Sequence, residues 1–246
     1  MAAVSYLNTK PLLYGIKRHP VRNDIELVED YPARIAQMLI DDEVDIGLIP
    51  VAATLRLKDW NVVGDYCIGS EGPVASVCIF SEQPIETIER LYLDYQSRTS
   101  VNLARVLLKE YWKKDVELVD ASGEDYRDLI EGTTAGVVIG DRALEQRLRS
   151  PYIYDLGEAW KAHTGLPFVF AAWIANKALP AEFMEAFNDA NRSGLAHLDE
   201  VIAENPFPAY DLGTYYRNNI SYDLTPEKRK GLSLFLQKLT GLTPRQ

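Results

Sequence analysis

Polar residues follow a short apolar run at the start of the chain, and they could bind a small, oxygen-rich ligand. The run ends at Val4, and Ser5, Asn8 and Thr9 come next, before Pro11. Asn8 offers a donor and an acceptor, and the two hydroxyls can orient a carboxylate or a hydroxyl group. In open α/β sheets small ligands bind beyond the carboxyl ends of the strands, where these residues are expected to lie. The alternative role of the same residue types is to cap the following helix.

A second polar segment, residues 69–76, combines two glycines and a proline before a strand-like run. A tight loop of this composition can turn its backbone N–H groups toward a ligand. Its candidate binding residues are Ser70, Gly72 and Ser76. An ordinary turn would give the same pattern.

A third polar segment joins a strand-like run that ends at Asp94 to the helix that follows. Ser97, Thr99 and Ser100 stand at the start of this helix. Their hydroxyls and the amides of the first turn predict an anion-binding site. Arg98 could form a bidentate pair with a carboxylate, or it could bridge to Asp94.

A fourth segment, which begins with Gly140 and Asp141, again leads from a strand end into a helix. Asp141 could bind a substrate hydroxyl or accept a proton, and a helix cap would look the same in sequence.

A fifth segment contains Thr164 and Phe168, with Trp173 beyond them. These residues could form the wall of a pocket, or they could belong to the hydrophobic core.

The elements that position these segments alternate between strand and helix, which predicts an α/β protein with mostly parallel sheets. Apolar residues recur at helical spacing in 35–39 and again in 101–111. Strand-like runs are expected at 25–29, 45–49, 74–80, 91–94, 136–139 and 168–174. From Pro180 onward helices dominate, at 182–204, 212–218 and 226–239, and Thr225-Pro226 marks the start of the last one. If there are two lobes, we expect crossovers at 81–84 and 176–180, which gives one lobe of residues 1–83 and 177–246 and another of 84–176.

Composition excludes several classes of function. The chain of 246 residues has a net charge of −10, so a duplex nucleic acid is not expected as a partner. Cys67 and Cys78 lie in apolar runs without metal-ligand spacing and are expected to be buried free thiols. No signal peptide and no membrane segment are visible, and a cytoplasmic protein is expected. Nucleotide-binding, zinc-protease and nucleophile-elbow motifs are missing as well.

Taken together, the five segments resemble the chorismate dehydratases of the futalosine route to menaquinone. The matching pieces lie within residues 4–173 in the family's order. They are VSYLNTKPL, DIGLIPVAA, SEGPVASVCIFS, LDYQSRTS, GDRAL and DLGEAWKAHTGLPFVFAAW. The resemblance implies a two-lobe fold like that of the periplasmic-binding proteins (type II), with mixed sheets flanked by helices and a ligand cleft between the lobes.

The resemblance also implies a reaction, the loss of water from chorismate to give 3-[(1-carboxyvinyl)oxy]benzoate, with no cofactor and no metal. It implies that Asn8 and Asp141 are the catalytic residues. The remaining candidates, all expected to bind the substrate, are Ser5, Thr9, Ser70, Gly72, Ser76, Ser97, Arg98, Thr99, Ser100, Gly140, Thr164 and Phe168.

Three questions stay open in the sequence. The proton acceptor is a protein group or the substrate's own enolpyruvyl carboxylate. The oligomeric state is unknown. There are two alternative functions: a solute-binding protein for a small dicarboxylate, and the later enzyme of the same pathway, which acts on cyclic futalosine. The fold alone does not separate either of them from a chorismate dehydratase.

Overall fold

Two mixed β-sheets, each flanked by helices, form the scaffold of the protein. The structure is a computed structural model and describes residues 1–242. Its strands are β1 (Ala2–Val4), β2 (Val28–Asp30), β3 (Ile46–Pro50), β4 (Asn61–Ser70), β5 (Val77–Ser81), β6 (Arg90–Leu93), β7 (Glu117–Asp120), β8 (Thr134–Ile139), β9 (Tyr152–Asp155), β10 (Phe168–Ala175) and β11 (Ser221–Asp223). Its α-helices are α1 (Lys10–Arg18), α2 (Pro32–Ile40), α3 (Arg98–Leu107), α4 (Asp141–Gln146), α5 (Leu156–Thr164), α6 (Ala181–Ala196), α7 (Leu198–Glu204), α8 (Leu212–Thr214) and α9 (Pro226–Leu242).

The first sheet has the strand order β11-β4-β10-β3-β1-β2, and the second has the order β7-β6-β8-β5-β9. In the first sheet β1 runs parallel to β2 and β3, and β10 runs antiparallel to both β3 and β4. In the second sheet β6 is parallel to its two neighbours, and β5 is antiparallel to its two. The α/β fold with mixed sheets that the resemblance implies is therefore confirmed. The expectation of mostly parallel sheets is wrong, because β10, β11 and β5 pair antiparallel with their neighbours.

The chain passes from the first sheet to the second and later returns. Strands up to Ser70 belong to the first sheet, strands from Val77 to Asp155 to the second, and β10 and β11 to the first again. The change of sheet thus falls earlier along the chain, at both crossings, than the crossovers expected at 81–84 and 176–180. The division into lobes after residues 83 and 176 stays a prediction.

The last third is mainly helical, as predicted, but it also adds β11 to the edge of the first sheet. The predicted helix 182–204 is broken at His197, where the backbone leaves helical geometry, into α6 and α7. The start of α9 is confirmed, since Thr225 Oγ1 accepts a hydrogen bond from the N–H of Lys228 at 3.2 Å. The segment Tyr215–Asn219 forms a single π-helical turn.

Two glycines bring α1 and α6 into backbone contact. A Cβ on Gly15 would lie 1.8 Å from the carbonyl oxygen of Ala190, and one on Gly194 would lie 1.9 Å from that of Pro11. Only glycine fits at such an approach. The segment that carries Asn8 is therefore packed tightly against the C-terminal helices.

Apolar side chains from both sheets join in one large core. Trp160, Phe168 and Phe235 pack edge to face with ring centroids 4.9 to 5.9 Å apart. Cys67 and Cys78 are buried free thiols, as predicted. In the described part of the chain, no helix is both long and apolar enough to cross a bilayer.

Candidate active site

A small cavity lies between the two sheets, at the carboxyl ends of β1 and β3. Its volume is about 50 Å³. Both sheets contribute to its lining, which is formed by Val4, Tyr6, Asn8, Thr9, Pro32, Leu48, Pro50, Ile68, Val77, Ser97, Ser100, Ile139, Gly140, Phe170 and Ala171. The position agrees with the rule that open α/β sheets bind ligands where their strands end.

Asn8 and Thr9 face this cavity instead of capping α1. The chain leaves β1 through a 3₁₀ turn, Leu7–Thr9, and α1 begins with Pro11 in its first turn. Neither the turn nor α1 has a side-chain cap. Thr9 Oγ1 donates to Asn8 Oδ1 at 3.1 Å, and no residue within 1–242 accepts a hydrogen bond from Asn8 Nδ2. The side-chain amide of Asn8 is thus oriented with its donor free for a ligand.

Asp141 reaches across the cleft from the second sheet to the first. Its Oδ1 accepts a hydrogen bond from the N–H of Leu7 at 3.1 Å. The helix cap is Gly140, with φ of 63°, so capping is not the role of the Asp141 side chain. A Cβ on Gly140 would lie 3.1 Å from the ring of Tyr6, and the glycine therefore lets the two lobes meet closely.

The start of α3 contributes Ser97 and Ser100 to the cavity lining. Ser97 is the N-cap, and its Oγ accepts from the N–H of Ser100 at 3.2 Å. Both side chains line the cavity. Thr99 is fully buried beside them, and its Oγ1 accepts from the N–H of Ala52 at 3.0 Å, a second bond between the lobes.

A buried ion pair is linked through Gln96 to Tyr6, which lines the cavity. Arg142 Nη2 donates to both carboxylate oxygens of Asp94, at 3.1 and 2.9 Å, and to Gln96 Oε1 at 2.9 Å. The hydroxyl of Tyr6 also donates to Gln96 Oε1. The partner of Asp94 is thus Arg142, and the bridge from Arg98 to Asp94 that the sequence left open is not formed.

The loop 69–76 does not present its amides to the cavity. The N–H groups of Val74 and Ala75 donate to the carboxylate of Asp155, at 3.0 and 2.7 Å. Ser76 is buried, and its Oγ accepts from the hydroxyl of Tyr215 at 2.8 Å. Ser70 Oγ is buried without a hydrogen-bond partner among the described residues, and Gly72 is half-buried.

Of the predicted residues, Asn8, Thr9, Ser97, Ser100 and Gly140 line the cavity, and four of the others lie away from it. Ser5 is exposed, and Arg98 is exposed beside a separate surface cavity. Thr164 Oγ1 donates to the carbonyl of Trp160 at the end of α5. Phe168 packs in the aromatic core, and Phe170, two residues further on the same strand, lines the cavity instead. Of the two roles that the sequence allowed for Phe168, pocket wall or hydrophobic core, the structure shows the second.

Three tyrosines near the site come from a part of the chain in which the sequence indicated only helices. Tyr215 and Tyr216 lie in the π-helical turn, and Tyr222 lies in β11. The hydroxyl of Tyr222 donates to the carbonyl of Asn8 at 3.0 Å. Their contribution depends on long-range packing, for which the sequence carries no local signal.

Burial raises the pKa of Asp141 to about 6, against the opposing effects of the Leu7 N–H and of Lys10. Burial also raises the pKa of Tyr6 and of Tyr216, with a contribution from the negative charge of Asp141 in both. The phenols are therefore hydrogen-bond donors at neutral pH. No group of His, Cys, Asp and Glu side chains within residues 1–242 is arranged to hold a metal ion.

The raised pKa of Asp141 predicts a pH-dependent stability. Because the folded protein holds this proton more tightly than the unfolded chain, the stabilisation is complete below pH 4 and is lost as the pH rises through 6. Asp141→Asn keeps an acceptor for Leu7 without the charge. As the pH rises from 4 to 7.5, we expect the wild type to lose about 2 kcal/mol of unfolding free energy that Asp141→Asn does not lose, because asparagine has no proton to give up. Urea denaturation at several pH values in this range measures the free energy of unfolding of both proteins. The same dependence on pH in the wild type and the variant would contradict the prediction.

A larger cavity, of about 770 Å³, lies at the amino ends of β1, β2 and β3, away from the polar segments. Carboxylates surround an apolar floor there; they belong to Asp24, Glu26, Glu43, Asp45 and Glu182. None of the candidate site residues lines it. We therefore place the candidate site in the smaller cavity, which is lined by the hydroxyl residues Thr9, Ser97 and Ser100 and by Asn8.

Sequence comparison places this chain among proteins of one pathway. A family profile described as menaquinone biosynthesis matches residues 1–240. A chorismate dehydratase from Thermus thermophilus is 27% identical, over 95% of this chain and 92% of that protein. A chorismate dehydratase from Campylobacter jejuni is 29% identical, over 75% of this chain and 71% of that protein.

Structural comparison shows the fold. Protein AF1704 from Archaeoglobus fulgidus matches with a TM-score of 0.73 and 16% identity, over 98% of this chain and 97% of that one. The Candida albicans protein CA3427, described as having the generic periplasmic-binding-protein fold, matches with a TM-score of 0.64 and 15% identity, over all of this chain and 90% of that one. The predicted periplasmic-binding-protein-like fold is confirmed.

Proposed function

This chain belongs to the menaquinone biosynthesis family, and from that premise we propose that it is a chorismate dehydratase. It is then a hydro-lyase that converts chorismate to 3-[(1-carboxyvinyl)oxy]benzoate, the first step of the futalosine route. The observation that carries the proposal is the set of neutral hydrogen-bond donors that converge between the two sheets. The two relatives named chorismate dehydratase support it, as they align with most of the chain.

The reaction requires little beyond acid–base chemistry and positioning. The ring hydrogen of chorismate at the ether-bearing carbon is acidified because the adjacent diene is conjugated to a carboxylate. Its removal and the departure of the neighbouring hydroxyl group make the ring aromatic. The protein then has to bind two carboxylates, exclude water and stabilise the charge that develops on oxygen.

We assign the carboxylates of the substrate to the hydroxyls and amides at the start of α3, formed by Ser97, Thr99 and Ser100. A helix N-terminus of this kind favours an anion without a fixed positive charge. Ser70, whose buried hydroxyl has no partner within residues 1–242, is assigned to the second carboxylate. The acid-rimmed cavity at the far end of the first sheet would repel a dianion.

The substrate enters only when the two sheets move apart. Pockets for small molecules have volumes from about 300 Å³ upward, whereas this cavity measures about 50 Å³. The structure therefore corresponds to a closed cleft. Bonds that cross it, such as Leu7 to Asp141 and Ala52 to Thr99, have to break for the substrate to bind.

We assign the role of proton acceptor to the substrate's enolpyruvyl carboxylate. None of the residues that line the cavity is a histidine, a lysine or a carboxylate. His163, the histidine nearest to a predicted segment, is paired with Glu110 at 3.1 Å. Asp141 lies just behind the lining, and Asp141→Asn is expected to keep its turnover within about threefold, as measured by product formation. Complete loss with intact binding would instead make Asp141 the base.

The proposal is tested by mixing the purified protein with chorismate, without metal or nucleotide, and following the products by mass spectrometry. We expect an aromatic product that is lighter than chorismate by one water. Unchanged chorismate that still raises the melting temperature would favour a solute-binding protein. Conversion of cyclic futalosine instead would favour the later enzyme. The proposal also includes a cytoplasmic location, chorismate as the small-molecule ligand, and neither a nucleic acid nor a membrane as partner.

A further inference from the structure

Three buried tyrosines on the C-terminal segment differ in what their hydroxyls contact. The hydroxyl of Tyr215 donates to Ser76 Oγ at 2.8 Å, and that of Tyr222 donates to the carbonyl of Asn8 at 3.0 Å. The hydroxyl of Tyr216 is fully buried and has no partner among residues 1–242. Two of the three hydroxyls thus have a hydrogen-bond partner in the protein, and that of Tyr216 has none among the described residues.

An unpaired hydroxyl in the interior is unfavourable, because it has lost its bonds to water and gained none from protein. Phenylalanine would fill the same space without that penalty. The protein itself therefore leaves the hydroxyl of Tyr216 free to take a bound ligand as its partner.

The surroundings of Tyr216 identify where that partner binds. Its ring lies 5.6 Å from the ring of Tyr215, whose hydroxyl bonds to Ser76, the residue before Val77 of the cavity lining. Its hydroxyl is close enough to Asp141 to feel that charge, and its electrostatic interaction with Tyr222 connects it to the Asn8 side. The hydroxyl of Tyr216 thus lies within electrostatic range of Asp141 and of Tyr222, whose own hydroxyl bonds to the carbonyl of Asn8.

The charge of Asp141 decides which part of the substrate lies here. A carboxylate of chorismate next to the Asp141 carboxylate would be repelled, and the helix N-terminus of α3 offers the better anion site. The end of the substrate that faces Asp141 and Tyr216 is then the uncharged ring hydroxyl.

We propose that the hydroxyl of Tyr216 donates a hydrogen bond to the ring hydroxyl oxygen of the bound substrate and stabilises it as it leaves; this inference rests on the proposed function. In the reaction the ring C–H bond and the C–O bond break; the enolpyruvyl carboxylate takes the ring proton and passes it to the departing hydroxide, so that one molecule of water leaves. Tyr216 keeps its own proton throughout. Its hydrogen bond strengthens as negative charge moves onto the departing oxygen, so that it acts more on the transition state than on substrate binding.

The test is Tyr216→Phe, with kinetics on chorismate and thermal unfolding measured side by side. We expect kcat to fall 10- to 100-fold with KM changed by less than threefold, and the melting temperature to stay the same or to rise. Tyr215→Phe removes a hydroxyl that has a partner, and its melting temperature is expected to fall. The hydroxyl of Tyr210 bonds to Asn219 at 3.1 Å, outside the site. Tyr210→Phe is therefore expected to keep the wild-type kcat.

The outcomes separate the two proposals. Wild-type kcat in Tyr216→Phe would overturn the role of Tyr216 while leaving the dehydratase intact. A fall in kcat together with a lower melting temperature, as in Tyr215→Phe, would overturn it in favour of a structural role. Absence of turnover by the wild type would overturn the proposed function itself, and this inference with it.

Discussion

Asn8→Ala is expected to lower the kcat for chorismate by roughly 100- to 1,000-fold, the usual cost of removing one donor to a developing negative charge. Asn8 lines the cavity, and its Nδ2 has no acceptor within residues 1–242. In the proposed mechanism it donates to the oxygen that leaves or to the negative charge that builds on the ring. Steady-state kinetics with ultraviolet detection of the aromatic product measure the effect.

The matched control for this variant is Asn188→Ala. The amide of Asn188 bonds to Asp65, away from the cleft, and its removal is expected to change kcat by less than twofold. A similar kcat for Asn8→Ala and Asn188→Ala would contradict the assignment. The melting temperature of Asn8→Ala should stay close to that of the wild type, because its side chain makes few bonds to the fold.

Asp94→Asn is expected to lower the free energy of unfolding by about 3 kcal/mol or more, since it leaves a buried guanidinium without its counter-ion. The side chain of Asp94 is fully buried and that of Arg142 is 11% exposed. Asp94 also accepts hydrogen bonds from the N–H of Gln96 and the hydroxyl of Tyr126. Urea denaturation at neutral pH measures the loss.

A surface pair provides the comparison for this prediction. Asp128 lies 3.3 Å from Arg149, and both side chains are more than two-thirds exposed. Asp128→Asn is expected to change the free energy of unfolding by less than about 1 kcal/mol. An equally small change in Asp94→Asn would show that the buried pair does not hold the second sheet's loops in place.

Local sequence patterns predicted those helices and strands whose signals lie within a few consecutive residues. The opening strand, the helix that Pro11 begins and the hydroxyl cap of α3 are each encoded within a few residues, and all three are present. The short strands β7, β9 and β11 were not predicted. Their sequences, such as the exposed and charged Glu117–Asp120, pair at sheet edges and carry little apolar signal.

The candidate site was predictable where its residues adjoin strand ends, and not where long-range packing supplies them. Asn8, Ser97 and Gly140 line the cavity because each follows a strand of a sheet. Tyr216 comes from a π-helical turn far along the chain, and no spacing rule links it to Asp141. Arg98 and Arg142 are equally polar in sequence, and only the direction in which each helix presents them decides that Arg142 pairs with Asp94.

The hydrogen bonds that cross the cleft have a kinetic consequence. Leu7 bonds to Asp141, Ala52 to Thr99 and Tyr6 to Gln96, and each pair joins the first sheet's side to the second's. Admission of a substrate and release of its product each require all three to break, whereas the loss of water is driven by the formation of an aromatic ring. The frequency at which the cleft opens therefore sets an upper limit on turnover. Substitutions at Tyr6 or Thr99 could raise that limit without touching the departing oxygen.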